Sequence, residues 1–124
     1  METGTMAYQS FEELEVWHLA RTFAVDIYRA FGGCRDYNFR HQVTDAACPI
    51  SNNIAEGSER IQPSEYIQFL NYAKGSAGGA RNQLYLGEDL GFLPESAAEK
   101  LRTDARHIGG KLYALIRSLS DRQP

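Results

Sequence analysis

At 124 residues and 13.9 kDa the chain is sized for one domain with a single moderate core. Its 43% hydrophobic and 23% charged residues exclude a disordered chain, and no run approaches the roughly 18–20 apolar residues of a membrane span. A net charge of −3 gives no support to nucleic-acid binding by the chain as a whole; residues 91–124, with six basic against four acidic side chains, are the local exception.

Residues 1–10 have neither the basic start nor the apolar run of a secretion signal, so the cytoplasm is the default location, and they read as a flexible tail. Ser10 and Glu13 have capping-box spacing and predict a helix from about Phe11 to Phe31. Leu14, Trp17, Ala20, Phe23, Ala24, Ile27, Tyr28 and Phe31 form its apolar stripe. Trp17 is the expected core anchor; helical spacing accounts for it better than a base-stacking role does. Gly32-Gly33 ends this helix and residues 34–38 connect it to the next.

The second helix is predicted over Phe39–Glu56, on Phe39, Val43, Ala46 or Ala47, Ile50 and Ile54, with Gly57 as its stop. Pro49 lacks an N–H and crowds the Asp45 carbonyl, so a kink or two shorter pieces are expected. Just beyond it lie Ser51, Asn52, Asn53 and Glu56. They either satisfy backbone groups opened by the proline or form a polar network at a subunit or partner contact.

Ser64 is the expected cap of a third helix reaching Leu90, with Gly91 as terminator. Within it Gly75, Gly78 and Gly79 together cost about 2–3 kcal/mol relative to alanine. Close approach of a neighbouring helix across Gly75 and Gly79 would offset that cost; a phosphate-binding loop would need a preceding strand and a suitably placed lysine. After Phe92-Leu93-Pro94, Ser96 and Glu99 repeat the capping-box spacing. The fourth helix runs to about Leu119 on a seam of Leu101, Ala105, Ile108, Leu112, Leu115 and Leu119. Residues 120–124 read as a tail. Four helices with short turns predict an all-α, antiparallel up-down-up-down four-helix bundle over residues 11–119. Its core is expected to include Trp17, Phe23, Ile27, Leu70, Leu84, Ile108 and Leu112.

Catalytic chemistry has little support. A dimetal bundle site would use Glu15 with His18, Asp104 with His107, and Glu56 and Glu88, but His107 points away from the fourth-helix seam. His41 and Asp45 can pair at four-residue spacing, yet no nucleophile is placed beside them. No catalytic, cofactor or metal residue is assigned. Cys34 and Cys48 stand alone, without zinc-knuckle or disulfide spacing; Cys48 reads as a small core residue and Cys34 as a free loop thiol. Arg102, Arg106 and Arg117 form the strongest basic group, expected to give at best weak, salt-sensitive RNA or DNA binding.

Several pieces together resemble one family: Phe11-Glu12-Glu13-Leu14-Glu15-Val16-Trp17 with Ala20, Phe39 with Gln42 and Ala46, and Asn53-Ile54-Ala55-Glu56-Gly57. Glu65-Tyr66-Ile67-Gln68-Phe69-Leu70 with Ala73, Gly75 and Ser76, and then Leu90-Gly91, complete the set. In order and spacing they are similar to the 23S rRNA intervening-sequence protein family. The resemblance implies a four-helix bundle assembled into a cyclic homopentamer, without a settled biochemical role. A similar protein of diversity-generating retroelements partners a reverse transcriptase and binds nucleic acid. The chain departs from the family pattern at Thr44-Asp45, where basic residues are usual, and at Ser51, where proline is common. A third departure is Ala77-Gly78-Gly79-Ala80-Arg81. The resulting expectation is a non-enzymatic oligomeric scaffold, with Ser51, Asn52, Asn53, Glu56, Gly75 and Gly79 at helix or subunit contacts.

Overall fold

The computed structural model describes residues 9–122. Residues 1–8 of the expected N-terminal tail and residues 123–124 of the expected C-terminal tail lie outside them. The order is a single 3-10 turn, Phe11–Glu13, then α1 Glu15–Ala30, α2 Tyr37–Ser58, α3 Pro63–Asp89 and α4 Glu95–Asp121. Each helix packs on the next and α1 closes on α4, giving an up-down-up-down four-helix bundle. The α2–α3 and α3–α4 seams are extensive; the α1–α4 seam is the lightest of the four. Among the described residues no helix is long and apolar enough to cross a membrane.

Each helix contributes one stripe to a common core, and Phe23, Ile27, Ile50, Ile54, Leu70, Leu84, Ile108 and Leu112 are its largest helical contributors. Six of the seven expected core residues lie there. Trp17 is the exception: it is half-buried at the edge, its ring 5.0 Å from that of Phe11 and with the Arg21 guanidinium 5.4 Å away. Tyr28 also turns outward, and Cys48 is half-buried at the surface rather than in the core.

The starts of the helices differ from the sequence expectation for local chemical reasons. The Ser10 hydroxyl is taken by the Glu12 carboxylate and caps no backbone N–H. Leu14 then becomes extended, at φ −86° and ψ 125°, so α1 begins only at Glu15. The Nε2 of His18 donates to the Glu12 carbonyl at 2.6 Å and holds the 3-10 turn against α1. For α2 the cap is Asp36, whose carboxylate accepts from the Phe39 N–H at 3.0 Å, so the helix begins at Tyr37, two residues ahead of the expected Phe39. Ser64 and Ser96 lie inside the first turns of α3 and α4 and cap neither helix. Pro63, with fixed φ and no N–H to satisfy, starts α3, and extended Pro94 precedes α4.

Helix α2 passes through Pro49 as one element. Gly57, expected to stop it, is buried within its last turn. A Cβ there would stand 2.8 Å from Phe69 Cβ and 3.0 Å from Tyr66 Cδ1, so the missing side chain lets α2 and α3 meet. Gly87 is similarly crowded by Leu93 and Phe39. By contrast, a Cβ on Gly75, Gly78 or Gly79 would meet nothing within 4 Å, so the close approach expected at Gly75 and Gly79 does not occur within the protomer. Gly91, at φ +77°, ends α3 as expected: the Phe92 N–H reaches the Gly87 carbonyl at 2.8 Å and closes the turn.

These glycines separate two effects of adding a methyl group. Gly57→Ala is expected to destabilise the fold by about 1–2 kcal/mol, because overpacking against an immobile Cβ outweighs the gain in helix propensity. Gly78→Ala is expected to stabilise it by roughly 0.5–1 kcal/mol, since the new methyl meets only solvent. Urea unfolding of both variants checks the opposite signs.

Candidate functional site

The polar group after Pro49 does not form one connected network. Asn52 donates to the Glu56 carboxylate at 2.8 Å on the exposed side of α2. Asn53 turns back and donates to the carbonyl of Pro49 itself at 2.9 Å, rather than to the Asp45 carbonyl that the proline leaves open. Ser51 and Asn52 line an open cleft with Phe11, Trp17 and Pro49. Gly75 and Gly79 lie on α3, outside the residues lining that cleft.

The outer face of α3 has its own character. Tyr72, Gly75, Gly79, Leu86 and Leu90 recur at helical spacing, and all are exposed, Leu90 by 60%. Open glycine backbone and uncovered apolar side chains therefore share one stripe.

Between α3 and α4 runs a groove of about 360 Å³. Ala77, Gly78, Ala105, Gly109 and Gly110 make its floor, and Lys74, Arg81, Arg106 and Tyr113 stand around it. Of the three arginines expected to act together, Arg106 is on this rim. Arg117 adjoins it by donating to the Tyr113 hydroxyl at 3.0 Å. Arg102 is placed differently. Its side chain is 11% exposed, donates to Glu88 at 2.7 Å and lies 4.2 Å from the centre of the Tyr85 ring. The hydrogen bond it gives to Glu88 pushes the affinity of this guanidinium for its proton further up, and the pair ties α4 to α3. Lys74 and Arg81 come from α3 and were not read as members of this basic group. Each is unremarkable in sequence, and only the antiparallel packing of α3 on α4 brings them opposite Arg106.

The side chains considered for a dimetal centre are engaged elsewhere. Glu15 pairs with Lys111 at 2.9 Å, which holds its carboxyl below the usual range. Asp104 pairs with Lys100 at 2.6 Å, Glu88 with Arg102 and Glu56 with Asn52. His107 lies in a recess between α1 and α4 with Asp26, Asp104 and Lys100. No group of three or more His, Cys, Asp and Glu among the described residues is placed to hold a metal ion. His41 and Asp45 pair at 3.4 Å on the exposed surface of α2.

The family model described as 23S rRNA-intervening sequence protein matches residues 12–114. Among solved structures, the chain is similar to a protein with unknown function from the S23 ribosomal protein family of Bacteroides thetaiotaomicron. The two share 22% identity and a TM-score of 0.77, over 82% of this chain and 97% of that one, which is a likeness of fold. A comparison with curated proteins gives no match.

The Arg102–Glu88 pair generates a stability test. Arg102→Met is expected to lower the thermal midpoint by several degrees, because Glu88 is left in a partly buried seam without its partner. Glu88→Leu on that background is expected to recover most of the loss, as the double-mutant cycle in urea would show.

Proposed function

Since the chain belongs to the 23S rRNA-intervening sequence protein family, and α3 turns glycine and apolar side chains outward, we propose that it is a non-enzymatic homo-oligomeric scaffold of the cytoplasm. Its working unit is the bundle over residues 11–119, assembled as a homopentamer. The observation that carries this reading is the outer stripe of α3. Glycines in an exposed helix interior cost about 1 kcal/mol each, and no contact within the protomer uses the space they leave. A helix of a second copy laid on Gly75 and Gly79 would use it and would cover Tyr72, Leu86 and Leu90 as well. The paired Asn52 and Glu56 and the backbone-bonded Asn53, with Ser51 beside them, supply polar groups most of which are already satisfied and which a subunit contact can enclose at little cost.

A second reading, weak RNA or DNA binding by the assembled oligomer, is supported by Arg106 and Arg117, neither of which holds an ion pair among the described residues. Arg102 contributes to that surface only as part of its pair with Glu88.

Light scattering tests the scaffold. The wild type is expected at five times the 13.9 kDa of one protomer. Gly75→Gln with Gly79→Gln is expected to shift the mass toward the protomer while circular dichroism stays unchanged or gains helix. A variant of unchanged mass would remove the α3 face from the assembly, and a monomeric wild type would end the scaffold reading.

A further inference from the structure

We infer that the groove between α3 and α4 is a binding track for single-stranded nucleic acid. This rests on the second reading above and adds to it a place, a set of residues and the form of the nucleic acid.

The first argument is how charge is distributed along these two helices. Lys100, Arg102 and Lys111 are each held by a carboxylate, of Asp104, Glu88 and Glu15 respectively. The other basic residues within α3 and α4 are Lys74, Arg81, Arg106 and Arg117; none of these has an ion pair within 4 Å among the described residues, although Arg117 feels the charge of Asp121 one turn on. Three of them line the groove, and the fourth holds Tyr113 on its edge. No carboxylate is among the described residues lining it. In a chain of net charge −3, the unpaired cations of two helices thus converge on one depression.

The second argument is reach. A Cβ built on Gly78, Gly109 or Gly110 would meet nothing within 4 Å, so the floor is open backbone at these three positions, with only the methyls of Ala77 and Ala105 beside it. A phosphodiester chain can settle there and place its phosphates beside the rim.

Aromatic groups supply the third argument. Tyr113 is about half exposed, with its hydroxyl fixed by Arg117. Tyr85, also about half exposed, is packed against Arg102, eleven residues before Tyr113 on α4. At the rise of an α-helix, this second ring, outside the groove lining and with Arg102 over one face, stands about 16 Å along α4 from the Tyr113 platform. Stacking on them requires unpaired bases, which a single strand offers and a duplex conceals.

Fluorescence anisotropy of the full chain with a fluorescein-labelled uridine 20-mer, and with a duplex of the same length, tests the inference. Three or four neutralised phosphates predict that single-strand affinity falls roughly 20- to 50-fold between 50 and 200 mM salt. The combined change Lys74→Gln, Arg81→Gln and Arg106→Gln is expected to weaken it at least tenfold and to flatten that salt dependence. Tyr113→Leu is expected to weaken it roughly fivefold or more with the salt dependence kept, a separation that mere loss of fold would not produce. Binding of the single strand equally well by wild type and triple variant would overturn the groove while leaving the second reading intact. Absence of binding to any nucleic acid at 50 mM salt would overturn both. Tighter binding of the duplex, or displacement of the strand by polyglutamate at equal charge concentration, would overturn the assignment to a single strand.

Discussion

The bundle depends on how closely α2 can lie on α3, and that distance is set at Gly57. With any larger residue there, the Phe69 backbone would have to move away, and the core that Ile50 and Ile54 share with Leu70 and the buried alanines of α3 would loosen with it. Because α3 also carries α4 along its other side, the same approach fixes where Ala105 and Ile108 meet the core. The groove and the outer stripe of α3 are two faces of the helix so positioned.

Electrostatics divides the surface in a complementary way. Where helices meet, cations find carboxylates, Lys111 of α4 with Glu15 of α1 and Arg102 of α4 with Glu88 of α3, while Lys100 pairs with Asp104 one turn on within α4. Where small residues open a depression, they do not. The tally of charge along the chain hides this, since a basic side chain counts the same whether a seam has consumed it or left it facing solvent.

Much of the architecture was legible in the sequence, because four- and three-residue steps such as Leu101, Ala105, Ile108 and Leu112 translate directly into buried seams. The turns at Gly32 and Gly91 were equally readable. Helix starts were less so. A serine with a glutamate three residues on is only an offer of a cap; Ser10 accepted a different partner in Glu12, while Pro63 and Pro94 displaced Ser64 and Ser96. Within the protomer the roles of the glycines were interchanged for a physical reason as well. Gly57 looks like a terminator because it ends a polar run, and Gly75 and Gly79 look like a crossing because they are four apart, but only packing decides which glycine another helix approaches. Of the basic residues, Arg106 and Arg117 could be placed on one face by counting, whereas burial of Arg102 and recruitment of Lys74 and Arg81 depend on which helices are neighbours.

The uneven strength of the seams has a consequence for how the protein opens. Helix α1 is the outermost member in packing: it shares less with α4 than the other helices share with each other, and exposed pairs such as Glu15 with Lys111 add little hold. Native-state fluctuations should therefore detach this helix first, leaving α2, α3 and α4 as a cooperative remnant with their central leucines and isoleucines briefly wetted. Amide protons of α1 would then trade with solvent through a cheaper opening than those of α3, and among the described helices a protease would find its earliest foothold in Glu15–Ala30.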